Sequence, residues 1–148
     1  MNYKIENKKF FFVSHVAIPI FIGGAIYYLF CPDVDFVKRI DVLAGGGIHF
    51  LLEGRGIILL LIRNYIFDAL WAYSLMNCFL LILEGTRNGR GIAIICATIL
   101  SIVIETIQMS DYIYGTFDYM DIIIEILLIF GASQSIKKQI KEATHNEI

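Results

Sequence analysis

In the stretch ETIQMSDYIYGTFDYMDIIIE, the acidic residues Glu105, Asp118, Asp121 and Glu125 lie inside or at the edge of two long apolar runs. An Asp near the centre of a membrane helix costs about 2.5–3.5 kcal/mol to insert, so such residues usually face a bundle interior or water and act there. Glu105 and Gln108, three apart, share one helix face. Asp118, Asp121 and Glu125, spaced by three and four, form an acidic stripe down another. At about 1.5 Å per residue, Glu125 lies about 10 Å deeper than Asp118. Asp68, with Trp71 along the same face, adds a carboxylate beside an aromatic group.

Carboxylates gathered in a medium of low dielectric cannot all stay ionised without cations. The chemistry open to them is binding of a proton, a metal ion or an amine, or pairing with a basic side chain from the loops. Arg63 or Arg39 folding over the mouth of the group is the expected internal partner, with Lys38 and Arg55 as further candidates. A metal ion, if one is held, takes Glu105, Asp118 and Asp121 as ligands. No nucleophile constellation accompanies the acids, so no catalytic residue is assigned.

Each residue also has a plainer reading. Asp118 or Thr116 suits a helix cap, Asp68 an interface position, and Trp71 and Tyr73 membrane anchors. Glu105 and Asp121 are interior to their runs and Glu125 is the deepest, which favours a shared polar site. His15 reads as a packed helix residue bonded to a neighbour, and His49 and His145 as solvated.

The elements that must position these groups are membrane helices. Of the 148 residues 57% are hydrophobic and mean hydropathy is +0.69, against about 45–50% apolar in ordinary soluble domains. A net charge of −2 with no basic, aromatic-interleaved patch excludes a nucleic-acid binder. Three scattered cysteines make no disulfide framework. Spans of about 20 residues predict an all-α integral membrane fold of four transmembrane helices, about 10–30, 65–83, 91–109 and 117–136. The first is too long for a signal-peptide core and lacks an A-x-A-like site.

Between helices one and two, Phe36, Val37, Ile40 and Leu43 oppose Lys38, Arg39 and Asp41, predicting a short interfacial helix broken by Gly45-Gly46-Gly47. Ile57–Ile62 is too short to span and is re-entrant, interfacial or the start of helix two. Residues 1–148 form a single domain, with 137–148 a polar cytoplasmic tail that frays. Lys4, Lys8, Lys9, Arg87, Arg90, Lys137, Lys138 and Lys141 fall on one side, against Lys38, Arg39, Arg55 and Arg63 on the other. That bias places both termini in the cytoplasm and opens the acidic group outward across the cell membrane.

These residues resemble the VanZ-like family of small bacterial membrane proteins. In that family a Glu-x-x-Gln pair stands toward the end of one span and an Asp-x-x-Asp element opens the last. Glu105 and Gln108 match the first, and Asp118 and Asp121, within GTFDYMD, the second. The run NYIFDALWAYSL, Asn64 to Leu75, is similar to the family's Asn-Tyr-x-x-Asp-x-x-Trp-Ala entry to a span. The resemblance covers about residues 60–131. The chain departs from the pattern at Gly115, where the family often has Arg, and at Glu125, where it often has Asn. Both changes make the site more acidic. The resemblance implies a cell-envelope protein linked by family name to glycopeptide (teicoplanin) resistance, with no settled biochemical activity.

Three function classes follow. The favoured one is a binder whose outward pocket, formed by Arg63, Asp68, Trp71, Glu105, Gln108, Asp118, Asp121 and Glu125, holds an envelope lipid, an amine-bearing ligand or a glycopeptide. The others are a metal-dependent membrane enzyme on a lipid-linked substrate, and a cation- or proton-coupled carrier. The implied partners are the lipid bilayer, an envelope ligand and a second copy of the chain; the sequence leaves any cofactor unknown.

Overall fold

Long apolar runs separated by short polar breaks produce helices throughout the described chain. The structure, a computed structural model, describes the backbone of residues 5, 7–32, 34–49, 57–108 and 118–145, and the side chains of all these except 35–36, 57–64 and 135–145. Among the described residues there is no strand.

The first helix is continuous over Lys8–Phe30 and is built from α1 (Lys8–Phe12), a π-helical turn (Val13–Ala17) and α2 (Ile18–Phe30). Asn7 starts it, its side-chain oxygen accepting from the amide of Phe10 at 3.0 Å. The π turn precedes Pro19, which has no amide hydrogen and whose ring crowds the carbonyl four residues back. One wider turn, with the Ile18 amide donating to the Val13 carbonyl, relieves that crowding without breaking the helix.

Helix α3 (Asp35–Ala44) takes the place of the expected interfacial helix and ends at Gly45, where φ is 77° and only glycine is comfortable. Its predicted faces are only partly right. Val37 is buried and Ile40 half-buried, whereas Leu43 is exposed and Asp41, placed on the polar side, is half-buried. Helix α4 (Ile57–Ile82) begins eight residues ahead of the predicted second span at 65, so Ile57–Ile62 are its first turns rather than a separate piece. The segment 50–56, including Arg55, lies outside the described residues, as do the loop 109–117 with Gly115 and Thr116, and residues 146–148.

Helix α5 (Gly89–Gln108) and helix α6 (Tyr119–His145) complete the chain. The tail expected to fray is helical to His145. Its residues 137–144 are mostly good helix formers, with no Gly or Pro.

Among the described residues three helices, not four, are long and apolar enough to cross a membrane: Lys8–Phe30, Tyr65–Ile82 and Gly89–Gln108. The expected fourth, 117–136, is part of α6, whose described side chains stop at Gln134 and leave a stretch shorter than a span. Helix α6 packs in the same bundle, against α4 and α5, while α2 packs on α4. The core of that bundle is Met76 and Leu80 of α4, Ala93 and Ala97 of α5 and Ile129 of α6, all fully buried. Buried Gly89, Ala93, Ala97 and Ser101 recur every fourth residue on α5, a row that lets neighbouring backbones approach closely. Outward faces are apolar: Phe21, Ile95 and Leu127 are each more than half exposed, more than a water-facing surface ordinarily leaves uncovered.

Polar ties fix the ends. Lys8 pairs with Glu84 at 2.7 Å, and the Ile5 amide donates to the other Glu84 oxygen at 2.8 Å. Arg90 donates to Ser133 at 3.3 Å. The start of the first helix, the turn after α4 and the far half of α6 therefore share one end. Midway, the hydroxyl of Tyr73 meets Nδ1 of His15 at 2.6 Å, the neighbour bond expected for that histidine.

Candidate carboxylate site at one end of the bundle

Because α4, α5 and α6 pack on one another, residues from three helices meet near the end opposite Lys8. Asp68 from α4, Glu105 from α5, and Asp121 and Glu125 from α6 lie close enough for their charges to couple. Glu105 and Glu125 are 3% and 1% exposed. One carboxyl oxygen of each, Oε2, has no hydrogen-bond partner among the described residues. Ser101, four residues before Glu105 on the same face of α5 and fully buried, lies beside Glu125 and interacts with it, and its Oγ makes no well-formed hydrogen bond among the described residues. Buried polar atoms are nearly always paired, and a small cluster of exceptions is a feature that calls for an explanation.

The remaining predicted site residues divide. Asp118 is a cap: its Oδ1 accepts from the Met120 amide at 2.9 Å, while Oδ2 faces the Tyr65 hydroxyl at a long 3.4 Å. Asp68 and Asp121 are half-buried within the group. Trp71 on α4 and Gln108 at the end of α5 are half-buried, and among the described residues no hydrogen bond joins either to the carboxylates. Arg39 is exposed on α3, and the side chain of Arg63 lies outside the described residues. Among the described residues no ion pair links a basic side chain to Asp68, Glu105, Asp118, Asp121 or Glu125, and no three acidic, His or Cys side chains converge as a metal ion needs.

Toward the other end the carboxylates of this group stop, and the buried Thr98 hydroxyl and the buried residues Ser74, Asn77 and Ser133 follow among the described ones. One turn below Glu125 and Ser101 come Ile129 and Ala97, then Ala93, Met76 and Leu80, all fully buried. Ser74 and Asn77 on α4 donate to the carbonyls of Leu70 and Tyr73, each at 2.8 Å, and so are spent on their own helix. The carboxylate group is thus bordered on that side by buried apolar side chains.

A second polar cluster ties the end of α2 to α3. Tyr28 donates to Asp41 Oδ1 at 2.7 Å, Nε2 of His49 lies 2.7 Å from Asp41 Oδ2, and Nδ1 of His49 lies 3.0 Å from the Tyr28 carbonyl. His49 is thus held, not solvated as its sequence setting suggests. Both ring nitrogens face acceptors, which suits an imidazolium. The Tyr28 hydrogen bond first, then His49, holds the Asp41 carboxyl below its ordinary value; the bond to Asp41 raises His49. Gly47 passes so close over Asp41, His49 and Tyr28 that a Cβ there collides with all three.

Sequence reasoning missed Ser101, Tyr65 and this clasp. Ser101 was findable from its i−4 spacing to Glu105, and the clasp from an acidic residue on α3 followed by a glycine run and a histidine. No family model, no curated protein and no solved structure matches the chain.

Proposed function

We propose that the chain is an integral membrane protein of the cell envelope, VanZ-like in kind, whose recess opens at the outer face and binds an envelope component bearing a positive group. The observation that carries this is the pair of buried carboxyl oxygens of Glu105 on α5 and Glu125 on α6, each without a hydrogen-bond partner among the described residues, with the buried Ser101 hydroxyl of α5 beside them. Leaving buried carboxyl oxygens without partners is costly, and a ligand that supplies donors and positive charge recovers that cost on binding. Three apolar spans and outward-facing Phe21, Ile95 and Leu127 support a bilayer as the surrounding medium.

In this reading α6 is the fourth membrane helix, both termini lie in the cytoplasm, and the matches at Glu105, Gln108, Asp118 and Asp121 are those of the VanZ-like family. The buried apolar side chains of Ala97 and Ile129 favour a binder over a carrier, which needs a continuous polar route. The metal-dependent enzyme draws no support from donor geometry among the described residues.

The test is a melting-temperature screen of the purified chain against phosphatidylethanolamine, phosphatidylglycerol, a lipid-linked peptidoglycan precursor and teicoplanin, each with and without Mg²⁺. One class of cationic or amine-bearing component raises the melting temperature of wild type and not of Asp121→Asn. A response to Mg²⁺ alone, or to nothing, overturns the reading. Cysteine labelling at Tyr119→Cys from the outside checks the orientation; reaction only from the cytoplasmic side defeats it.

A further inference from the structure

Resting on the reading of this recess as a ligand site, we propose that its inner wall, Ser101 and Glu105 on α5 with Glu125 on α6, is a subsite for a primary ammonium group. Three acceptors, the two Oε2 atoms and the Ser101 Oγ, are buried, unpartnered and contributed by two packed helices. A primary ammonium has three N–H donors on one small centre and no acceptor, which matches that set in number and kind. Charge-assisted hydrogen bonds of this sort are stronger than neutral ones and strengthen further away from water.

Other cations fit less well. Mg²⁺ and Ca²⁺ need six or more oxygens on one point, and among the described residues the acidic side chains do not converge so. A quaternary ammonium has no N–H to give and is held elsewhere by aromatic faces. No aromatic residue is among the three wall residues, and Trp71 is not hydrogen-bonded to them. One ammonium offsets part of the negative charge that Glu105 and Glu125 share with Asp68 and Asp121. Ala97 and Ile129, both fully buried and apolar, lie one turn below, so in this proposal the ammonium is the leading tip of the ligand and the rest of it lies toward Asp121 and Asp118.

The experiment compares hexylammonium with hexyltrimethylammonium on the full chain in nanodiscs, reading thermal shift and calorimetric affinity. The two probes share an alkyl chain and a charge and differ in N–H donors. Hexylammonium is expected to bind at least about ten-fold more tightly. Ser101→Ala and Glu125→Gln each weaken hexylammonium by about ten-fold, while Asp41→Asn, outside the recess, leaves it unchanged. Loss of apparent affinity in discs containing phosphatidylethanolamine, relative to phosphatidylglycerol alone, identifies the lipid headgroup as the source; equal affinity identifies a free amine. Equal binding of both probes, or no binding of hexylammonium by wild type, overturns the proposal without relying on any variant. If envelope components still shift wild type but not Asp121→Asn in that event, the recess remains a ligand site and only its ammonium subsite falls.

Discussion

Asp41 and Glu125 stand near the same end of the molecule and meet opposite fates. Asp41 is within reach of water and has every partner a carboxylate wants: a tyrosine hydroxyl on one oxygen and an imidazole on the other. Glu125 is buried among apolar helices and keeps one oxygen unpartnered. If both were structural, the buried one would be the better satisfied, because desolvation penalises it more. The inversion separates a carboxylate that holds the fold from one that the fold holds in readiness.

The largest effect expected from this contrast is at Glu125. Glu125→Leu removes a buried unpartnered oxygen and raises unfolding stability by about 1–3 kcal/mol in denaturant titration, while abolishing any ligand response. A fall in stability would place Glu125 with Asp41 as a structural residue. Asp41→Asn works the other way. It costs the clasp its charge and loosens α3, read as faster amide exchange over 37–47 with no change across 93–105; protection unchanged in both would deny the clasp a structural role.

A smaller effect is the pH dependence of the clasp. His49 is raised above 6.5, so its contribution is full below that value and is lost as pH climbs through the raised one. Asp41 is lowered below 3.8, so its contribution is full above 3.8 and is lost as pH falls through the lowered one. The difference in melting temperature between wild type and His49→Gln is therefore largest and flat from 3.8 to 6.5 and shrinks outside that window. A difference that grows above pH 8 contradicts the arrangement. The smallest effect is Tyr65→Phe, which gives up a 3.4 Å hydrogen bond to Asp118 and costs about 0.5 kcal/mol or less in the same titration.

Hydropathy alone locates the three apolar spans to within a few residues, because bilayer thickness imposes a length that composition reveals. Helical spacing likewise puts Asp121 and Glu125 on one side of α6, while their placement relative to Glu105 depends on how α5 and α6 pack. What spacing could not give was satisfaction. Asp118 and Glu125 look alike as letters in an apolar run, yet one caps a helix and the other lacks a partner, a distinction made by neighbours far along the chain. The start of α4 was hidden for a related reason: Arg63, Asn64 and Asp68 interrupt the hydropathy of a helix that continues through them. His49 was misjudged because its partners, Tyr28 and Asp41, lie on two other elements.

The row on α5 has a mechanical consequence. Gly89, Ala93, Ala97 and Ser101 keep the side chains between helices short, and the next position in the same register is Glu105, several atoms longer. Small side chains along four steps let the neighbouring helices approach closely there, and the longer side chain at the fifth takes up the space between them. Ala97→Leu, a thickening midway along the row, should spread the seam and let water reach Met76.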